Sequence, residues 1–278
     1  MLLHAATNEN EAERNRARHA MPGKEDASGH RAHVLSLDQF EAMLFDMDGV
    51  ITRSAKGHGE LWKVVFDDFL KEFSARHNLP FKQFDARSDY HDYVDGKPRY
   101  DGVVSFLASR GIMIPFGEPT DDETTETCCG LGNRKNKLFL EYMDNVGVSV
   151  FDTSVALVRE LRSRGKKIAV VSASKNAEYV LRRAGIFELF DVIVSGREAA
   201  ALSLAGKPAP DTYLKAIDLL ETTPDRSVVF EDSVTGVQAA KTAGVRLIVG
   251  VDRADDCAAL LWHGANVVVN DLCELAWS

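Results

Sequence analysis

The sequence predicts an α/β protein: a parallel sheet with helices on its faces, interrupted after its first strand by an all-helical insertion. Three observations lead there. From about residue 150 to 270, short apolar runs rich in β-formers alternate with longer helical patterns, which is how βαβ units read. Near the start, Met43-Leu44-Phe45 runs straight into Asp46-Met47-Asp48-Gly49. A strand buried on both faces looks like this when it carries acids to the C-terminal edge of an open sheet. Between about 54 and 149 no segment has the composition of a central strand.

Composition narrows the function classes. A mass of 30.6 kDa allows one large domain or two modest ones, and 45% hydrophobic residues supply a sizeable core. The net charge of −9 disfavours a general binder of nucleic acid or of anionic membranes. It leaves room for a local basic pocket. No apolar run is long enough to span a bilayer, and the polar N-terminus lacks the apolar core of a secretory signal. Cys128, Cys129, Cys257 and Cys273 match no zinc-site spacing, so reduced thiols and a cytoplasmic setting are expected. The adjacent Cys128 and Cys129 are expected to be structural.

Residues 1–36 mix charges and small residues without periodicity and are expected to form a flexible N-terminal extension. The first strand is placed at 42–47. In extended backbone Asp46 and Asp48 point to one face and Met47 to the other, and Gly49 permits a sharp turn directly afterwards. A helix follows at 57–76, where Leu61, Trp62, Val64, Val65, Phe66, Phe69, Leu70 and Phe73 recur largely on one side. Two more helices are expected at 100–110, ended by Gly111, and at 133–145, with turn-rich stretches between. The domain plan is therefore an extension over 1–36, an α/β core made of 37–53 and 150–278, and a helical domain over 54–149. Within the core, helices are expected from Asp152 through Arg164, stopped by Gly165, and at 175–184, 211–220 and 233–243. They alternate with strands at 168–171, 192–194, 228–230, 245–249 and 267–269.

Parallel strands bring their C-terminal ends to one edge. Ser172 follows the run 168–171, Lys207 lies in Gly206-Lys207-Pro208-Ala209-Pro210-Asp211, and Glu231-Asp232 follow 228–230. All are expected to meet Asp46 and Asp48 at that edge. Four carboxylates, a hydroxyl and an ammonium suit a hard divalent cation such as Mg²⁺ together with a phosphate. Oxygens ligate the metal, Lys207 balances the phosphate charge, and Ser172 donates a hydrogen bond to it.

The motifs Asp46-Met47-Asp48-Gly49-Val50, Ser172, Lys207-Pro208-Ala209-Pro210-Asp211 and Glu231-Asp232-Ser233-Val234-Thr235-Gly236 resemble, in order and spacing, those of the haloacid dehalogenase (HAD) superfamily of phosphotransferases. Within it the chain most resembles the beta-phosphoglucomutase-like subgroup, over about 42–270. The resemblance implies a Rossmann-like, HAD-like core whose helical insertion is a cap. It implies that Asp46 is a nucleophile that takes the phosphoryl group, dividing one hard transfer into two easier ones. Asp48 would be the general acid and base, a role that argues against dehalogenation, where halide leaves without a proton. Asp46, the backbone carbonyl of Asp48 and Asp232 would hold Mg²⁺, with Glu231 as a ligand or immediately behind one. Ser172 and Lys207 would offset charge on the transferring group. In the cap, His58 would couple closure to Asp48, and Trp62 shares its helix face. Arg99 would hold a non-transferring phosphate, and Lys135 would touch substrate. Ser172-Ala173-Ser174-Lys175-Asn176 is similar to the mutase pattern, which makes Ser174, Lys175 and Asn176 substrate-facing. Two positions depart from the pattern: Arg53 where an acid is usual, and Asp95 where a mutase has a basic residue.

The expected function is Mg²⁺-dependent phosphoryl transfer on a small-molecule sugar phosphate through an aspartyl phosphate, as a beta-phosphoglucomutase-type isomerase. The alternative is a phosphatase that uses water as acceptor after the same first half-reaction. A non-catalytic phosphosugar-binding protein is a remote alternative. A monomer is expected, with no nucleic-acid or membrane partner.

Overall fold

The computed structural model describes residues 24–25, 31–253 and 255–278. The short strands β1 (Lys24–Glu25) and β2 (Arg31–Leu35) pair antiparallel. The main sheet then forms from β3 (Ala42–Phe45), β4 (Lys167–Val171), β5 (Val192–Val194), β6 (Ser227–Glu231), β7 (Leu247–Val251) and β8 (Val267–Val269). Its order is β5-β4-β3-β6-β7-β8, and every pairing is parallel. At the chain's far end β9 (Leu275–Trp277) lies parallel to β2. Four helices make up the insertion after β3: α1 (Ala55–His77), α2 (Ser88–Tyr93), α3 (Arg99–Ser109) and α4 (Cys128–Val146). The others are α5 (Asp152–Ser163), α6 (Ala177–Arg183), α7 (Gly196–Ala201), α8 (Asp211–Leu219), α9 (Val234–Thr242) and α10 (Cys257–His263).

The continuous apolar run of β3 has a simple cause. Successive side chains leave a strand on opposite faces, and here both faces are covered. Met43 and Phe45 pack into one core with Val158 and Leu161 of α5 and Val180 and Leu181 of α6. Ala42 and Leu44 pack into another with Tyr213 and Ile217 of α8 and Val237 and Ala240 of α9. The chain runs outward from β3 to β4 and β5, then returns to β3's other side at β6. The C-terminal ends of β3, β4 and β6 therefore flank the crevice at the switch in strand order, where such sheets bind ligands.

The helical insertion has a core of its own, built on Trp62, Phe66, Phe84, Phe106 and their neighbours. Phe66 lies 4.3 Å from the ring of Phe106 and 5.1 Å from that of Phe84. The two chain crossings between sheet and insertion run side by side. The Arg53 amide donates to the Ser149 carbonyl and the Phe151 amide to that of Ile51, both at 2.9 Å. No helix among the described residues is long and apolar enough to cross a membrane.

Several elements differ from the sequence-based expectation. Of the extension expected over 1–36, residues 1–23 and 26–30 lie outside the described residues. Residues 31–35 are not a flexible tail: they form β2, whose partner β9 is too distant in sequence to signal it. Strand β7 begins two residues later than expected, because the Val245 and Arg246 amides still close the turn after α9 onto Ala240 and Pro224. Helix α4 starts at Cys128 rather than 133. Thr127 caps it by accepting the Gly130 amide, and Gly130 and Gly132 weaken the helical signal of that first turn. Both glycines are needed for space: an added Cβ would come within 2.1 Å of the Thr125 carbonyl oxygen and 2.6 Å of the Tyr100 ring, respectively. Helices α2, α7 and α10 were too short to show periodicity. A signal for α7 was present, since Ser195 and Glu198 form a capping box.

The ring of Phe45 stacks on that of Phe230 at 4.3 Å, with both side chains fully buried on adjacent strands. Phe45→Ala should lower unfolding stability by about 3–5 kcal/mol, read as a shift of the urea midpoint at unchanged slope.

Candidate active site

The site begins where β3 stops. Asp46 still pairs with the sheet through its amide, which donates to the Phe230 carbonyl at 2.9 Å, so its carboxylate has a fixed origin. Lys207 reaches it from the loop before α8, donating to Asp46 Oδ1 at 2.5 Å, to the Val171 carbonyl at 3.2 Å and to Glu231 Oε1. Glu231 also accepts the Tyr213 hydroxyl at 2.8 Å and the Ser233 amide and hydroxyl at 3.0 Å each. Ser172, buried at the end of β4, bonds through its amide to the Val194 carbonyl and accepts the Ser174 amide on its hydroxyl.

Asp46, Glu231 and Asp232 each present an oxygen within 4.8 Å of the others. Gly49 makes this possible. Its φ is +85°, and an added Cβ would lie 1.6 Å from Asp232 Oδ2, so a side chain there would occupy the carboxylate's place. Burial, with Asp95, Asp46 and Glu231 nearby, pushes the Asp232 carboxyl well above its ordinary range. Burial pushes Asp46 up as well, against the pull of Lys207. Three clustered carboxylates facing a single ammonium are an oxygen donor set with surplus negative charge, which fits a hard divalent cation.

Asp48 belongs to a second set. Its Oδ1 accepts the Ser54 hydroxyl and lies 3.4 Å from Thr52 Oγ1 and 3.5 Å from His58 Nε2. Burial pushes the Asp48 carboxyl up, but His58, Ser54 and Lys135 outweigh it and hold it at about 2. The His58 ring stacks on Phe139 at 4.6 Å, and its Nδ1 meets Lys135 Nζ. Burial, with the Lys135 ammonium, pulls His58 below its ordinary value. Burial and Arg99 bring Lys135 down to about 7. Trp62, on the same face of α1, lies with its ring 5.5 Å from Lys135 Nζ.

Across the cleft stand the remaining expected residues. Arg99, at the start of α3, donates to Asn136 Oδ1 at 2.6 Å, and Asn176 donates to the same atom at 2.7 Å. Lys175 Nζ lies 5.1 Å from the centre of the Tyr100 ring. Arg99 thus meets an amide and the Tyr100 ring, Lys135 an imidazole and the Trp62 and Phe139 rings, and Lys175 a ring face.

One cleft of about 710 Å³, counting the solvent at its mouth, is lined by Asp46, Asp48, His58, Trp62, Arg99, Lys135, Ser172, Ser174, Lys175, Asn176 and Asp232. Lys207 and Glu231 lie directly behind Asp46. Every residue assigned to the site from the sequence is therefore brought together. Sequence reasoning missed Ser54, Tyr90, Asn136 and Tyr213: Asn136 and Tyr213 meet partners far away in the chain, while Ser54 and Tyr90 meet Asp48 and Asp95 across irregular turns that no periodicity marks. Only Tyr213 carried a signal, sitting just after the Lys207 motif. Of the two departures, Arg53 is a packing residue: it lies 4.2 Å over the Phe151 ring and donates to the Val150 carbonyl. Asp95 lines the cleft, and burial raises its carboxyl to about 6 against the Tyr90 hydroxyl's pull. Lys97, two residues on, also lines the cleft. It is tied to the Tyr93 carbonyl at 2.9 Å and the Ser105 hydroxyl at 2.7 Å.

The cap closes on the sheet edge through close backbone contact. A Cβ at Gly96 would come within 2.2 Å of Thr235 Oγ1, and one at Gly206 within 2.3 Å of the Pro98 ring. The Arg87–Asp255 ion pair at 2.9 Å and the contact of His91 with Asp256 at 3.2 Å add a polar seam.

Comparison with known proteins agrees with this arrangement. The family model for haloacid dehalogenase-like hydrolases matches residues 40–244. A protein of Mycobacterium bovis named beta-phosphoglucomutase is 44% identical over 249 residues, spanning 88% of this chain and 95% of that one. A protein of Thermotoga maritima named phosphorylated carbohydrates phosphatase is 29% identical, spanning 82% and 94%. Among solved structures, a beta-phosphoglucomutase from Clostridium difficile superposes with a TM-score of 0.65 at 24% identity, over 84% of this chain and 92% of that one; it speaks for the fold. The chain belongs to the haloacid dehalogenase-like hydrolases and is an enzyme of that family.

Proposed function

We propose that the protein is a Mg²⁺-dependent beta-phosphoglucomutase-type isomerase that moves a phosphoryl group between two positions of a small sugar phosphate. One observation carries the reading: the cleft has two separate anion-attracting ends. Lys207 and Ser172, together with the cation that the carboxylates around Asp46 would hold, form one, and Arg99, Lys175 and Asn176 the other. A mutase must hold both phosphates of a bisphosphate at once. The 44% identity to a protein named beta-phosphoglucomutase supports it. A cytoplasmic setting is supported by four cysteines that remain unpaired.

In the first half-reaction an Asp46 oxygen attacks phosphorus as the bond from phosphorus to the sugar oxygen breaks. Asp48 gives the departing oxygen its proton. In the ligand-free site Asp48 is ionised, and a phosphoryl dianion beside it raises its proton affinity. In the second half-reaction Asp48 takes a proton from a hydroxyl at another sugar position. That oxygen attacks phosphorus, and the bond to Asp46 breaks. Lys207 and Ser172 hold the phosphoryl oxygens, while His58 and Ser54 hold Asp48. Asp46, Asp232, the Asp48 carbonyl and Glu231 would hold Mg²⁺, which when bound would neutralise charge on the transferring group. Closure of the cap keeps water from the aspartyl phosphate. The phosphatase reading shares the first half-reaction and uses water in the second. The name of the Thermotoga maritima relative favours keeping it as the competitor.

The two readings separate by their products. Given β-glucose 1-phosphate, Mg²⁺ and a trace of the bisphosphate, the enzyme should yield glucose 6-phosphate without free phosphate; release of phosphate alone would overturn the mutase reading. Asp46→Asn should abolish turnover. Asp48→Ala should lower turnover of sugar substrates by roughly 10²–10⁴-fold, and wild-type rates in either variant would exclude the assigned role. Chelation with EDTA should stop the reaction and added Mg²⁺ restore it; full activity in excess chelator would rule out the metal.

A further inference from the structure

We infer that Asn136 is a positioning residue: its side-chain carbonyl aims Arg99 of the cap and Asn176 of the core at one point, so that they read an anion as a pair. The inference rests on the reading of the cleft given above. An amide oxygen has two lone pairs, and here both are taken, by Arg99 at 2.6 Å and by Asn176 Nδ2 at 2.7 Å. Arg99 and Asn136 belong to the helical insertion, whereas Asn176 sits at the start of α6 on the sheet. The shared oxygen therefore ties the cap to the core. Helix α4 supports Arg99 at two points one turn apart on the same face. Gly132 leaves room for its stem, since a Cβ there would lie 3.1 Å from Arg99 Cδ, and Asn136 holds its tip.

The neutrality of Asn136 matters as much as its position. A guanidinium presents five N–H donors in a rigid fork. Fixing one end on a neutral oxygen leaves its charge and its other donors for the ligand. A carboxylate in the same place would fix the fork equally well, but it would cancel the charge and repel a dianion.

That contrast gives the test. KM and kcat for β-glucose 1-phosphate are measured for Asn136→Ala and Asn136→Asp, with thermal melts to establish folding; the side chain is half-buried at the cleft wall. Asn136→Ala should raise KM by about tenfold and change kcat less, as loss of one aligned charged hydrogen bond does. Asn136→Asp, although matched in shape, should raise it further, by about a hundredfold. A structural role alone would make the isosteric aspartate the milder change. An aspartate variant equal to or milder than alanine, or a wild-type KM in both, would overturn the assignment while leaving the reading of the site intact. A wild-type enzyme that does not turn over the sugar phosphate would overturn that reading and this assignment with it.

Discussion

At the foot of the cleft a single ammonium, that of Lys207, lies between the carboxylates of Asp46 and Glu231, with all three groups nearly sealed from solvent. Taking each charge out of water costs several kcal/mol, and pairing returns that only when geometry and further hydrogen bonds are good. Glu231 has the needed bonds from Tyr213 and Ser233. Asp46 and Asp232 are less well balanced, so their carboxyls are driven up. An exposed pair such as Arg162–Asp191 contributes between about 0 and 1 kcal/mol and leaves no such demand. The buried cluster does not serve stability, because an apolar core of the same volume would hold the fold as well. It makes sense as a preorganised seat for a cation and an anionic group.

Around that seat the chain divides its work by element. The sheet fixes Asp46, Ser172, Lys207 and Asp232 on rigid strand ends and the turns beside them. The insertion supplies the opposite wall, with Lys135, Arg99 and Asn136 on α3 and α4. Asp48 belongs to both, since it leaves the sheet beside Asp46 yet is held by Ser54 and His58 at the entrance to the insertion. The crossing between the two is packed rather than loose. Phe151 has Arg53 4.2 Å from its ring on one side and Arg253 3.7 Å on the other, and Arg253 also donates to the Gly49 carbonyl. Arg53 is thus part of the joint between cap and core.

Some of this was legible before any coordinates. The apolar runs of β3, β4 and β6 announce strands buried on both faces, and their C-terminal residues announce a shared edge. The acids, the serine and the lysine were readable because each sits directly at a strand end or in a short loop beside one. Elements without periodicity were not readable: α2, α7 and α10 are each a turn or two long, and β2 depends on β9 for its existence. Helix α4 was misjudged at its start because glycines that leave room for the Thr125 carbonyl and the Tyr100 ring look like helix breakers in one dimension.

By itself the sequence determined the order of strands and helices, the rim of acids around Asp46, and a separate helical segment, since all of these follow from side-chain period and from residues adjacent in the chain. Tertiary structure alone decided which distant donors meet which acceptors: Tyr213 on Glu231, and Asn136 between Arg99 and Asn176. Those partners are brought together by helix packing and cap closure, and the energy of such contacts depends on distances that local pattern does not encode.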